Sequence, residues 1–424
     1  MSITEATESE QVFRFRDDDI ARARSLVGVY HAVTQREHFT RATPDVMRAF
    51  ARSYGDDNPL FVDEEYGRTT RWGGQIAPPM INIAVKKELL ADPIPREERR
   101  PSFRGIHVFV SGTTTHWYRP VMDGDVLYSF RGIETVEEKT SEFAGRSVIV
   151  THLHAQFNQR AEIVQTQRVI TIHTERHESK KRSKYGDIEA ATYTEEDIAR
   201  IDAVYADEKP RGAVPRLYED VTAGESLGTM AKGPLTLTDI VVFHSGGYGF
   251  APYTPCASRL AYKNRQRIAP FYIPNESGIP DVAQRIHWDS AYAKSIGLPA
   301  AYDYGMMRDC WLSHCLTDWM GDDGWLVRLS SQMRRFNYLG DTHMITGEVT
   351  GTRIHEGMHL AEIELRGTSQ RGEVTCPATA EVSLPSRAGG PAVLPEAPKE
   401  LEDIAARMLE RHLELRAERT AGKN

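Results

Sequence analysis

LFVDEEYGRTT, residues 60–70, and IHWDSAYAKSI, residues 286–296, are one pattern written twice. Asp63 matches Asp289 and Tyr66 matches Tyr292; a basic residue follows in each (Arg68, Lys294), then a hydroxyl (Thr69, Ser295). The copies part at one telling place, where Phe61 stands in the first and His287 in the second. A frame repeated once in each half predicts an internal duplication. An imidazole in only one copy predicts that only that copy titrates near neutral pH.

The order of elements around the two copies agrees. Before the first, TPDVMRAFARSYG reads as a helix with Thr43 as N-cap and Pro44 at its first position. After it, APPMINIAVKKELLAD (77–92) has apolar residues at helical spacing and opens on two prolines, predicting a second helix. The chain then alternates in β-branched and aromatic runs: IHVFVSGTTTHWYRP, DVLYSFRGIETVEE, GRSVIVTHLHAQFN and EIVQTQRVITIHTE. Residues 175–213 are charged throughout and read as a linker with one helix near 194–208. The second half replays the order: a helix in LTLTDIVVFHSGGYG, an aromatic and proline-bearing insertion over 250–285, the IHWD frame, a helix over 305–321, then strands. Gly124-Asp125 after RPVMD matches Gly340-Asp341 after RFNYL. The expected divisions are 1–174, a linker 175–213, 214–390, and a charged helical tail 391–424.

Bulk properties bound the function. With 424 residues, 40% hydrophobic, 26% charged and a formal net charge of −8, the chain suits two domains or one duplicated one. Mild acidity argues against a general nucleic-acid binder. No apolar run approaches the length of a membrane span. The polar, acidic N-terminus lacks the apolar core of a signal peptide. The four cysteines form no C-x-x-C pair; Cys310 and Cys315 read as buried free thiols, and a reducing cytoplasm is the expected compartment. No His/Cys/Asp trio has metal-ligand spacing, and no glycine-rich phosphate loop precedes a helix. Trp311, Trp319 and Trp325 read as core.

Helix, long helix and antiparallel strands, given twice, pack well as two sheets that each wrap a helix and join edge to edge. At this point the chain resembles the hot-dog fold, specifically the MaoC-like dehydratase and R-specific enoyl-CoA hydratase family, with a first half of the FAS1-type dehydratase kind. The resemblance runs from about residue 30 to about 385. YGDDNPLFVD (54–63), GGQIAPP (73–79), RPVMDGD (119–125), IHWDSAYA (286–293) and YLGD (338–341) carry it. It implies an α+β double hot-dog that hydrates a 2-enoyl-CoA or dehydrates a 3-hydroxyacyl-CoA. A thioesterase or a non-catalytic acyl-CoA-binding subunit of a hydratase complex are the alternatives.

The family's site pairs an Asp with a His five residues later around one water, and stabilises the thioester oxygen with the first amide of the central helix. Carried onto this chain, Asp56 holds the Asp position but Phe61 replaces the His. His287 holds the His position in the second half, where Gly249 or a neighbour stands in place of the Asp. Gly305 matches the oxyanion donor. His287 is thus the expected general base or acid; a buried structural histidine and a residue of a purely binding pocket are its other readings. Asp303 is the first candidate for its partner, with a helix N-cap as the alternative, and His244 the second. Asp289 reads as a cap, and Asp56 as a turn-forming carboxylate. Asp56, Asn58, Tyr302 and Tyr304 are expected around the substrate. The 250–285 insertion is a candidate lid, and the first half a wall for the acyl chain. Coenzyme A enters only as part of the substrate. No metal or redox cofactor, no nucleic acid and no membrane is expected, and a homodimer or higher homo-oligomer is.

Overall fold

A computed structural model of the chain describes residues 14–34, 39–99, 103, 106–141, 145–174, 188–247 and 258–421. The first half runs α1 (Asp17–Ser25), β1 (Tyr30–Ala32), α2 (Pro44–Arg52), α3 (Pro59–Val62), α4 (Glu64–Thr69), β2 (His107–Trp117), β3 (Tyr128–Ser141), β4 (Gly145–Phe157) and β5 (Ile163–Thr174). α5 (Glu195–Asp207) leads to β6 (Ser226–Lys232), α6 (Leu237–Ser245), α7 (Arg259–Arg267), β7 (Tyr272–Pro274), β8 (Pro280–Val282) and α8 (Ser290–Ser295). Then come α9 (Gly305–Met320), β9 (Trp325–Gln332), β10 (His343–His355), β11 (Met358–Ser369), β12 (Val374–Ser383) and α10 (Lys399–Ala421).

Ten strands form one antiparallel sheet in the order β1-β3-β4-β5-β2-β9-β12-β11-β10-β6. β2 and β9 are the seam, pairing Gly112 with Gln332 through His116 with Arg328. Each half thereby loses one exposed strand edge to the other. This is the double hot-dog expected from the sequence. Hydroxyls line the seam: Thr114 and Ser330 meet at 2.8 Å. Asp309 of α9 accepts from Thr113 at 2.9 Å and from Ser331 at 2.6 Å, so one carboxyl holds a side chain from each half.

α9 is buried along almost its whole length, and Trp311, Trp319 and Trp325 lie with it in the main core. Among the described residues the first half has no equivalent helix. Over 77–92 only a turn of 3-10 helix forms, Ile81–Ile83, flanked by turn residues, and no regular helix follows it. Pro78 and Pro79 offer no N–H. Beyond Ala84 the backbone donates outward, from Lys86 to the Phe39 carbonyl at 2.7 Å and from Lys87 to that of Leu127 at 2.8 Å. Leu90 N–H donates to His412 Nδ1 at 2.9 Å. Tertiary pairing thus overrides a helical pattern that was only a weak prior. Met80, Ile81, Ile83 and Ala84 still enter the main core beside α9.

The Gly-Asp pairs are the same turn built twice. Gly124 and Gly340 sit at φ +85° and +91°, where a Cβ is disfavoured. The next carboxylate accepts the amide three residues back, Met122 N at 2.9 Å and Tyr338 N at 3.0 Å. α10 docks through Leu401 and Ala405, and His412 lies tilted against Tyr128, ring centres 5.1 Å apart. No helix among the described residues is long and apolar enough to cross a membrane.

Candidate active site

The duplicated frame is an Asp-capped short helix. Asp63 accepts from Glu65 N and Tyr66 N at the start of α4, and Asp289 from Tyr292 N at 2.9 Å at the start of α8. Thr69 and Ser295 each return a hydroxyl proton to the Tyr66 and Tyr292 carbonyl at 2.7 Å. The frame is therefore architecture. The difference that bears on proton transfer lies two residues before each Asp, where Phe61 corresponds to His287. Phe61 packs with Ala51, Leu60 and Ile76 in a small core of its own. His287 instead ends a 3-10 turn, Ala283–His287, that aims it at the start of α9.

His287 is 9% exposed, and burial lowers its pKa to about 4, so the ring is neutral at neutral pH. Its Nδ1 lies 2.9 Å from the Tyr302 carbonyl, an oxygen that can only accept. Nδ1 therefore carries the proton and Nε2 the lone pair. The ring lies over Tyr304, centres 3.8 Å apart and planes 31° apart, and edge-on to Tyr302 at 4.7 Å. Tyr304 is buried and its hydroxyl meets His244 Nε2 at 2.9 Å.

Asp303 lies in the same segment but is fully committed. Its oxygens take Arg308 Nη2 and Nε, both at 2.6 Å, and Asn337 Nδ2 at 3.1 Å. Arg308 continues to the Arg335 carbonyl at 2.7 Å. Asp303, Arg308 and Asn337 are all buried. Neither a helix cap nor a free proton carrier describes that geometry. Asp303 and Arg308 instead clamp the strand segment that presents the Tyr302 carbonyl, with Asp303 N–H on the Asn337 carbonyl at 2.9 Å. Tyr304 is the N-cap of α9 and makes no side-chain cap bond, so the helix start at Gly305 is not closed by its own side chains.

The first-half residues behave differently. Asp56 and Asn58 are buried and hold their own turn: Asp56 Oδ1 accepts Asn58 N at 3.0 Å, and Asn58 caps α3 by accepting Leu60 N at 3.1 Å, while its side chain also hydrogen-bonds the Asp318 carboxyl of the second half. Asp56 also takes the Tyr54 hydroxyl at 3.1 Å. Sequence reasoning missed what lies opposite. His314 Nε2, from α9 of the second half, stands 3.6 Å from Asp56 Oδ1 and 3.3 Å from Asp318 Oδ2. The available signal was the i, i+4 spacing of His314 and Asp318 on a helix buried along almost its whole length. The proposed lid is described only in part: α7 and the β7–β8 hairpin belong to it, while Phe250 and Tyr253, like Cys256, lie outside the described residues.

Comparison with known proteins agrees with this architecture. Residues 27–167 match the family model described as FAS1-like, dehydratase domain region. Two solved structures are similar over most of their length. A MaoC-like dehydratase has 16% identity and a TM-score of 0.56, over 85% of this chain and 99% of that one. A MaoC domain protein dehydratase from Chloroflexus aurantiacus has 11% identity and a TM-score of 0.53, over 91% and 100%. At those identities the likeness is one of fold. No curated protein matches the sequence. Residues 27–167 are thus similar to a FAS1-like dehydratase region, within a chain that has the fold of the MaoC-like dehydratases.

Proposed function

We propose that the protein is a hydro-lyase acting on acyl thioesters, hydrating a 2-enoyl-CoA or dehydrating a 3-hydroxyacyl-CoA. One observation carries this reading: a neutral imidazole of fixed tautomer, His287, is set against the residue that opens an uncapped helix. In hydration the Nε2 lone pair takes a proton from water as its oxygen bonds to C3. The C2=C3 electron pair moves toward the thioester oxygen, which the Gly305 amide receives. The same proton is then delivered to C2. A positioned acid/base of this kind contributes about 10²–10⁴ in rate, and a lost oxyanion donor costs about 3 kcal/mol.

In this reading Asp303 is a positioning residue. With Arg308 it fixes the Tyr302 carbonyl, and that carbonyl sets which nitrogen of His287 is basic. Tyr302 and Tyr304 form the ring walls of the site. Coenzyme A is part of the substrate. The test is turnover of a panel of 2-enoyl-CoA thioesters, followed by loss of the conjugated absorbance. Release of free thiol without hydration identifies a thioesterase, and binding without turnover identifies a non-catalytic subunit.

A further inference from the structure

A cavity of about 250 Å³ lies between the halves, walled by Arg52, Asp56 and Asp57 of the first, by Tyr205 and Glu208 of the connecting segment, and by His314 and Asp318 of the second. It shares Glu208, Pro210 and Asp318 with a cleft of about 670 Å³ that continues past Leu227, Met230 and Trp319. His314 is held from behind. Lys232 Nζ lies 2.9 Å from its Nδ1 and also meets the Gly55 and Tyr54 carbonyls at 3.4 and 3.5 Å. A lysine ammonium only donates, so Nδ1 accepts and the ring proton sits on Nε2, toward Asp56 and Asp318. Asp318 Oδ1 is buried and has no hydrogen-bond partner among the described residues.

Asp56, His314 and Asp318 also have ligand atoms within 4.8 Å of one another, as a metal site would. The lysine argues against that. A histidine ligating through Nε2 carries its proton on Nδ1 and donates it to a carbonyl or carboxylate. Here that position faces a donor.

We propose that Asp318 and His314, with Asp56 across the interface, form a second acid/base centre for an acyl thioester, α9 supplying the imidazole that Phe61 lacks. The proposal rests on the substrate class assigned above. Asp318 takes a proton from water while the water oxygen bonds to C3, and the C2=C3 pair becomes the new C2–H bond as that proton is returned. One water is consumed, and nothing is oxidised or reduced. The larger cleft takes the acyl tail along its apolar side. Burial raises Asp318 to about 7, so it exchanges protons near neutrality, while burial holds His314 neutral by lowering it to about 4. The other groups facing the cluster are Arg52, Tyr54, Asp57, Tyr205, Glu208, Lys232, Cys310 and Cys315, and the Asn58 side chain hydrogen-bonds the Asp318 carboxyl.

The experiment compares hydration of 2-butenoyl-CoA and a long-chain 2-enoyl-CoA by the wild type, His287→Gln, and His287→Gln combined with His314→Gln or Asp318→Asn. Turnover should persist in His287→Gln and fall at least 10-fold further in each double variant, with a pH limb near 7 that Asp318→Asn abolishes. Complete loss in His287→Gln alone, or residual turnover that His314→Gln leaves unchanged, overturns this centre and leaves the hydro-lyase assignment standing. No turnover of any thioester by the wild type overturns both. Independently of activity, ¹⁵N NMR should find His314 neutral and protonated at Nε2 at pH 6; an Nδ1–H tautomer overturns the proposal. So does Zn²⁺ or Mn²⁺ binding in calorimetry that His314→Gln removes.

Discussion

His287 lies over Tyr304 with ring centres 3.8 Å apart, and the phenol in turn meets His244. Burial takes the imidazole out of water and lowers its pKa to about 4. A base so depressed stays competent well below neutrality. The acid limb of kcat/KM for the His287 centre is expected near pH 4–5, whereas a solvated histidine would place it near 6.5. A pH–rate profile in the Asp318→Asn background separates the two.

Buried neutral histidines also shape acid stability. His287 and His314 both have folded pKa values of about 4, below the ordinary value, so the unfolded chain binds protons that the folded chain refuses. Stability is therefore lost as pH falls from about 6.5 toward 4, by up to about 3 kcal/mol per group. Urea midpoints at pH 7.5 and 5 should differ in that direction, and less so in His314→Gln.

Asp309 produces the opposite slope. Burial raises it to about 6 although the seam hydroxyls of Thr113 and Ser331 favour its charged form. A carboxyl with a raised folded pKa holds its proton more tightly when folded, so its ionisation costs stability as pH rises from about 4 through about 6. Asp309→Asn keeps the shape and removes the charge. It should be close to neutral at pH 4.5 and stabilising by about 1–3 kcal/mol at pH 8, read from urea unfolding at the two values.

The Asp303–Arg308 pair is buried on both sides, so breaking it is costly whatever its net worth intact. Arg308→Met should destabilise by about 3–5 kcal/mol by leaving a carboxylate unpaired. Adding Asp303→Asn should recover a substantial part of the loss. Equal stability of the single and double variants would show that the clamp is not electrostatic.

The duplicated caps are cheaper. Asp63→Ala should cost about 1 kcal/mol, and Asp63→Asn much less. Asp289→Ala should cost more, because Asp289 also accepts Arg285 Nε at 3.2 Å. Denaturant unfolding of the three variants checks the order.

Much of the architecture was legible because repetition exposes it: the Asp caps, the Gly-Asp turns and the strand runs each occur twice at matching places. The 77–92 segment was misread since its apolar spacing is helical, while the partners that unwind it, Phe39, Leu127 and His412, are distant in sequence. The site divided in the same way. Asp289 capping and the Asp56 turn follow from local chemistry, and the structure contains both. The Arg308 grip on Asp303 was missed because Arg308 reads as one polar residue in a core helix. The approach of His314 to Asp56 depends on how two halves dock, and no local pattern encodes it.

The central claim is tested most directly by steady-state hydration of a 2-enoyl-CoA by the wild type and His287→Ala, both checked for native circular dichroism. A fall of at least 100-fold in the turnover assigned to the second-half centre, measured with Asp318→Asn in both proteins, is the predicted result. Equal rates in the two would contradict the account.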